Sequence, residues 1–268
     1  MTMSKSMPLT ERKQTAVIKL GGSMIDEISE SFIKSIDHVQ KYYDCLIVHG
    51  GGPHINAMLN KLNVTSSFHK GQRQTTAQVM EAVQLSLCGE VNPTLTALLN
   101  DHQIKALGLS GAGGALLTGE PIDEQTLGFV GEITEVNTDL LYKIMKMGYL
   151  PVVSPVARTK QGVKLNINAD IAAAAIASAL HAEKLIYITD VEGILREGKK
   201  LPVVTKEEAK EMIAKGEITG GMIPKVQSAL SSLQKVKEVI ISSGRQPLLQ
   251  SDQFDGTTLV KEKGAIIN

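Results

Sequence analysis

Short apolar runs alternate along this chain with longer amphipathic stretches. The runs at residues 16–20, 46–49, 104–107, 149–153, 185–189 and 239–242 are nearly unbroken rather than alternating. Unbroken runs predict strands buried on both faces, as in a parallel sheet. Residues 31–43, 54–62, 76–87, 138–147, 170–180, 206–215 and 225–233 predict helices, the third able to continue past Gly89 to Leu99. Thr205 and Glu208 mark one helix start with a capping box. The alternation predicts an α/β fold, a mainly parallel sheet with helices on both faces. Residues 64–75 and 109–136 break it. They are rich in Gly, Thr and Ser with hairpin-like short strands, and predict excursions that fold over a ligand, the first as a lid or substrate loop. No Pro/Ser-rich linker divides the chain. Two lobes would share one sheet, with a boundary near residues 155–158.

Three glycine turns stand where helices can begin. Gly50-Gly51-Gly52 follows a strand and stops at Pro53, and proline suits the first helical turn. Gly21-Gly22-Ser23 ends the first strand, and Thr219-Gly220-Gly221 leads to Pro224-Lys225. Free N–H groups at a helix start bind anions, and glycine lets a ligand approach the backbone. A tight turn with no ligand fits the same residues. Lys19 lies inside an apolar strand, where an unpaired ammonium is costly, so it needs a partner or an exposed edge. Lys225 falls in a first helical turn, where a cation is disfavoured unless an anion faces it. Neither the P-loop spacing nor the Gly-x-Gly-x-x-Gly fingerprint is present.

Composition narrows the field. The 28 basic side chains balance 28 acidic ones and aromatics make up only 3%, which argues against a nucleic-acid surface. Cys45 and Cys88 have no Cys-x-x-Cys partner and are expected as reduced packing residues; the histidines show no ligand spacing, so no protein metal site is expected. No apolar run reaches membrane-spanning length, and residues 1–14 lack a signal's apolar core. A short disordered lead and a cytoplasmic protein without membrane partners are expected.

Other polar residues are candidates for the same chemistry. Asn166, Asn168 and Asp170 precede an alanine-rich helix, more polar groups than one N-cap needs. Arg73, in a Gly-containing loop, suits bidentate capture of a carboxylate, although on this motif alone a solvated loop arginine is the favoured reading. Asp190-Val191-Glu192-Gly193-Ile194-Leu195 follows a buried strand, at the end where open α/β sheets bind ligands. A carboxylate approaching an anionic phosphate at about 3 Å meets roughly 5 kcal/mol of repulsion at an effective dielectric near 20. Such a site needs cations and backbone donors. It needs no base, because the carboxylate is already ionised.

The strings VIKLGGS, IVHGGGP, GFVGEI, LNINADIAAAA, ITDVEGIL and GGMIPKVQSAL, in that order from Thr15 onward, resemble the amino-acid kinase family. The resemblance implies a three-layer αβα sandwich with two lobes. Residues 15–155 would form an acceptor-binding and dimerisation lobe, and residues 156–268 a nucleotide-binding lobe. It implies a homodimer using ATP and Mg²⁺ to phosphorylate N-acetyl-L-glutamate. Lys19 and Lys225 would stabilise the transferring phosphoryl group, and Asp170 would hold both lysines. Gly51 and Gly52 would donate to the substrates, Gly21 and Gly22 would wrap the phosphates, and Arg73 and Asn166 would bind the acceptor. Asp190, Val191, Glu192, Gly193, Ile194 and Leu195, with Glu217, Ile218 and Thr219, would border the nucleotide.

This chain departs from the family pattern in places. Ser110-Gly111-Ala112-Gly113-Gly114-Ala115 lacks a Lys-Asp pair common there, Glu90 replaces a neutral or basic residue, and Gln72 and Gln74 replace apolar ones. The lead before residue 15 is short and contains Pro8, unlike the long N-terminal helix of hexameric, arginine-inhibited members, so a dimer without arginine feedback is expected. Another acceptor, carbamate or acetylaminoadipate, and a non-catalytic metabolite-binding regulator are the other readings.

Overall fold

The computed structural model describes residues 13–250 and 253–262. Eight strands form the central sheet: β1 (Gln14–Leu20), β2 (Tyr43–His49), β3 (Ala106–Ser110), β4 (Leu150–Ser154), β5 (Lys184–Thr189), β6 (Val203–Thr205), β7 (Glu238–Ser243) and β8 (Thr257–Val260). Their spatial order is β6-β8-β7-β5-β1-β2-β4-β3. All neighbours pair parallel except β7 with β8. The six strands expected from the apolar runs are all present. The two short ones, β6 and β8, offer too few residues for a run to stand out.

The nine α-helices are α1 (Glu30–Tyr42), α2 (Gly52–Lys61), α3 (Ala77–Gln84), α4 (Asn92–Asp101), α5 (Glu124–Leu127), α6 (Thr138–Lys146), α7 (Ala169–Ala179), α8 (Lys206–Ala214) and α9 (Met222–Ser232), counted among the described residues. The sheet is buried on both faces because its strands carry apolar residues at successive positions. In β1, Val17 joins a core with Ala172, Ala173 and Ile176 of α7. Ala16, Ile18 and Leu20 join a second core with Phe32, Ile36 and Val39 of α1. The result is the three-layer αβα sandwich. Ser29, Thr76, Asn137, Asn168 and Thr205 cap their helices, and Thr205 with Glu208 completes the capping box.

The long helix expected past Gly89 is continuous, with a π-helical segment, Leu85–Val91, between α3 and α4. Its wider turn places the Asn92 N–H on the Leu87 carbonyl. Pro93 explains it: the ring has no N–H and would clash with the carbonyl four residues back in a regular helix.

The two excursions are hairpins. Phe68–His69 pairs with Gln72–Arg73. Leu117–Pro121 pairs with Gly131–Val136 in a four-stranded sheet that also takes in Val156–Arg158 and Lys164–Asn166. The expected lead at residues 1–14 lies outside the described residues, apart from Lys13 and from Gln14, which opens β1. No helix among the described residues is long and apolar enough to cross a membrane.

Candidate active site

The parallel register of β1 and β2 sets Leu20 beside His49, so the two strands release their glycine turns side by side. Gly50 N–H donates to the Leu20 carbonyl (2.8 Å) and Gly21 N–H to the Ile188 carbonyl (3.1 Å). The turns then touch backbone to backbone. A Cβ on Gly22 would lie 2.5 Å from Gly51 N and 2.8 Å from Gly52 N, and one on Gly51 would lie 2.4 Å from Leu87 Cδ2. No side chain caps the start of α2, which begins at Gly52 with Pro53 in its first turn. Its first N–H groups therefore remain available to a ligand.

Lys19 points to the same face of β1 as Val17, beneath the start of α7. There its ammonium lies 2.9 Å from Asp170 Oδ1, and its side chain is only 14% exposed. The ion pair answers the cost of a lysine in an apolar strand. Asp170 Oδ1 is buried with no hydrogen-bond donor besides this ionic contact. The three polar residues before the alanine run divide their work. Asn168 is the N-cap, accepting from Asp170 N–H (2.8 Å) and Ile171 N–H (3.3 Å). Asn166 donates to Thr75 Oγ1 (3.0 Å). Asp170 is thereby left to Lys19.

Arg73 is buried, not a solvated loop residue. Its guanidinium donates to Ser66 Oγ and Asn56 Oδ1, each at 2.7 Å, and lies 4.6 Å from the centre of the Phe68 ring. No carboxylate among the described residues pairs with it. Burial lowers its pKa, and a buried cation whose partners are all neutral favours an incoming anion.

These groups converge on adjoining cavities. One of about 440 Å³ is lined by Lys19, Gly22, Gly50, Gly51, Gly52, Arg73, Asn166 and Asp170, among others. A second, about 260 Å³, is lined by Lys19, Gly21, Gly22, Asp170, Asp190 and Lys225, among others. Lys19, Gly22 and Asp170 border both. A third, about 360 Å³, is lined by Val191, Glu192, Gly193, Ile194, Leu195, Glu217, Ile218, Thr219 and Met222. Asp190 and Val191, consecutive residues, join the second to the third. A larger cavity, about 720 Å³, lies apart, between the 117–136 hairpin and residues 159–163, and includes neither a paired lysine nor the glycine turns.

One expectation needs correction. Asp170 pairs with Lys19 alone; the Lys225 ammonium pairs with Asp190, which also lowers the Asp190 pKa through that hydrogen bond. Lys225 sits in the first turn of α9, and Asp190 supplies the anion that offsets the positive helix end. Both lysines nevertheless border the same 260 Å³ cavity.

The sequence profile of the amino acid kinase family matches residues 14–243. The chain belongs to the amino acid kinase family. It is 44% identical over 256 residues to the acetylglutamate kinase of Bacillus pumilus (strain SAFR-032), covering 95% of this chain and 99% of that protein. The Bacillus subtilis (strain 168) acetylglutamate kinase is 43% identical over the same shares. Among solved structures, smu.665 from Streptococcus mutans UA159 superposes with a TM-score of 0.80 at 30% identity, covering 92% of this chain and 99% of that one. Carbamate kinase from Giardia lamblia, at 18% identity and a TM-score of 0.67, shares the fold, covering 93% of this chain and 99% of that one.

In this amino acid kinase several site-supporting residues carry no local sequence signal. Asn56, Ser66 and Phe68 hold the Arg73 guanidinium, and only the folded hairpin brings them to it. Gln74, one of the departures from the family pattern, ties the hairpin down: its amide donates to the Thr126 carbonyl (2.7 Å) and accepts from Ser67 Oγ. Arg245 bridges Glu27 and the carbonyl of Asp190, which lines the 260 Å³ cavity. Cys45 is buried and free, with its thiol pKa raised by burial, and Cys88 is also free.

Proposed function

We propose that this amino acid kinase transfers the γ-phosphoryl group of ATP to the side-chain carboxylate of N-acetyl-L-glutamate, giving N-acetylglutamyl 5-phosphate, a step of arginine biosynthesis. One observation carries the reading. Lys19, Gly22 and Asp170 form a common wall between a cavity holding a charge-unpaired arginine and the Gly50-Gly51-Gly52 turn, and a cavity lined by Gly21, Gly22 and two lysines. A group passing between occupants of the two must pass that wall. The likeness to acetylglutamate kinases over nearly the whole chain supports the choice of acceptor.

The residues divide the task. Arg73 and Asn166 bind the acceptor's α-carboxylate end, leaving the side-chain carboxylate directed at the glycine turns. Gly51 and Gly52 donate N–H groups to the acceptor and the γ-phosphate, and Gly21 and Gly22 follow the phosphate chain. Residues 190–195 and 217–219 border the adenosine. Lys19 and Lys225 spread positive charge over the phosphoryl oxygens as both bonds to phosphorus are partial. Asp170 orients Lys19, and Lys225 leaves Asp190 for the phosphate. The reacting carboxylate needs no base, so catalysis here is positioning and charge stabilisation.

Among the described residues no group of three or more His, Cys, Asp or Glu is arranged to hold a metal ion. Nucleotide phosphates with Asp170 or Asp190 nearby fit Mg²⁺, which keeps few protein ligands and neutralises phosphate charge. The reading includes a homodimer, an acceptor lobe over residues 15–155, a nucleotide lobe over residues 156–268 and a cytoplasmic location.

The test is ADP release with N-acetyl-L-glutamate, N-acetyl-aminoadipate and carbamate in turn, with hydroxylamine trapping the acyl phosphate. Turnover and hydroxamate with N-acetyl-L-glutamate are expected. Preference for carbamate, or no turnover with any acceptor, would overturn the reading.

A further inference from the structure

His49 ends β2 immediately before the glycine turn, and it is fully buried. It touches neither cavity, and the mechanism above makes no use of it. Both ring nitrogens are nonetheless engaged. Nδ1 lies 2.8 Å from the Gly50 carbonyl oxygen, and Nε2 lies 3.1 Å from Asn92 Nδ2.

These contacts fix the proton positions. Asn92 Nδ2 also lies 2.9 Å from the Val152 carbonyl, while the Leu109 carbonyl, at 3.5 Å, is farther than either Val152 or His49. A carbonyl only accepts, so the amide nitrogen of Asn92 must point at it, and the same nitrogen then donates to His49 Nε2. Nε2 is therefore unprotonated, Nδ1 carries the hydrogen, and Nδ1–H donates to Gly50. The ring is neutral, in keeping with a pKa pushed down to about 4 by burial.

The Gly50 carbonyl and the Gly51 N–H belong to one planar trans peptide and point opposite ways. Holding the carbonyl fixes where the N–H points. Glycine on both sides of that peptide leaves it free to rotate unless something restrains it. Gly51 itself packs against Gly22 and Leu87 with no space for a Cβ, so a small rotation is felt in both glycine turns.

We infer that His49, oriented by Asn92, is a positioning residue that sets the Gly50–Gly51 peptide so that the glycine turn presents its N–H groups to the transferring phosphoryl. The relay runs from the Val152 carbonyl through Asn92 and His49 to Gly50. Asn92 follows the π-helical turn that also supplies Leu87, so one irregular helical segment supports the glycine turn at two places. The inference rests on the proposed phosphoryl transfer for its effect on rate, though not for its geometry.

The experiment compares the parent with H49L, H49N, N92L and the H49L/N92L double variant. In H49N the amide nitrogen takes the position of Nδ1 and can donate to Gly50. H49L is expected to lose about 10²-fold in kcat, the scale of a misplaced reacting geometry, with a smaller change in KM for the acceptor. H49N is expected to recover most of that loss, and the double variant to be no worse than H49L. Nitrogen-15 spectra of the parent, without substrates, should show the Nδ1–H tautomer at His49, and the Gly51 amide signal should shift in H49L. Parental kcat in a folded H49L, or an H49N no better than H49L, overturns the inference. Should H49L fail to fold, N92L and H49N decide it by the same two readouts. Should the parent itself not turn over, the functional reading fails. The relay then stands or falls on the spectra, and an Nε2–H tautomer or an unmoved Gly51 amide refutes it.

Discussion

Replacing Gly22 with alanine tests the contact between the glycine turns with the smallest possible change. The new methyl would sit 2.5 Å from Gly51 N, 2.8 Å from Gly51 Cα and 2.8 Å from Gly52 N. All three neighbours are backbone, which cannot swing aside as a side chain can. Restoring ordinary contact means parting the turns by about 1 Å, and a displacement of about that size costs on the order of 10²-fold in rate, or about 2.7 kcal/mol of activation free energy. Overpacking also costs about 1–3 kcal/mol of stability. Gly89→Ala is the matched control: its Cβ meets nothing within 4 Å, and Gly89 is exposed on the π-helical segment, so the added methyl presses on neither turn. It should keep parental kcat and gain up to about 1 kcal/mol, the usual benefit of alanine over glycine in a helix. The assay is ADP release with saturating ATP and N-acetyl-L-glutamate, beside urea unfolding of each variant. A folded Gly22→Ala protein with the kcat of Gly89→Ala would refute the backbone-contact account.

Other perturbations separate the remaining roles. Lys225→Ala should lower kcat by about 10²–10³-fold, the cost of losing one preorganised donor to the transition state; near-parental turnover in the same assay would remove Lys225 from the chemistry. Arg73→Ala should raise KM for the acceptor by roughly 10–100-fold, the worth of a charged hydrogen bond of about 1.5–3 kcal/mol, and an effect on KM for ATP alone would show the arginine misassigned. Acid should destabilise the fold through His49. Its pKa is lowered from 6.5 to about 4 in the folded state, chiefly by burial, so the unfolded chain binds the extra proton first. Stability from this group is complete above pH 6.5 and is lost as pH falls toward 4, at up to about 1.4 kcal/mol per unit. Urea unfolding between pH 7 and pH 5 should show that slope, and H49N should flatten it; an equal slope in H49N would contradict the assignment.

Much of the architecture was legible because it follows from burial on both sheet faces. The run at residues 46–49 and its glycines already implied a strand releasing a bare turn. Lys19 was legible as an anomaly, a cation that required a partner, and Asp170 proved to be that partner. The pairing of Lys225 with Asp190 was not legible, because the two lie 35 residues apart and meet only through the packing of α9 beside β5. The same holds for Asn92 and His49, 43 residues apart. The π-helical turn left no trace in the hydrophobic pattern, since one widened turn scarcely shifts the apolar stripe, although Pro93 marks its cause. β6 and β8 were missed because three or four residues do not establish a period. The hairpin at residues 68–73 was expected as a substrate loop, yet the buried arginine within it, anchored by Asn56 and Ser66, required the folded chain.

The central claim is that Lys19 and Lys225, distant in sequence, act on one phosphoryl group between the two substrates. A crystal structure with ADP, aluminium fluoride and N-acetyl-L-glutamate tests it most directly. Both ammonium nitrogens should lie within hydrogen-bond distance of the fluorides, with Lys225 released from Asp190 and the acceptor's α-carboxylate on Arg73. A complex in which Lys225 stays on Asp190, or in which either ammonium lies out of reach of the fluorides, would contradict the account.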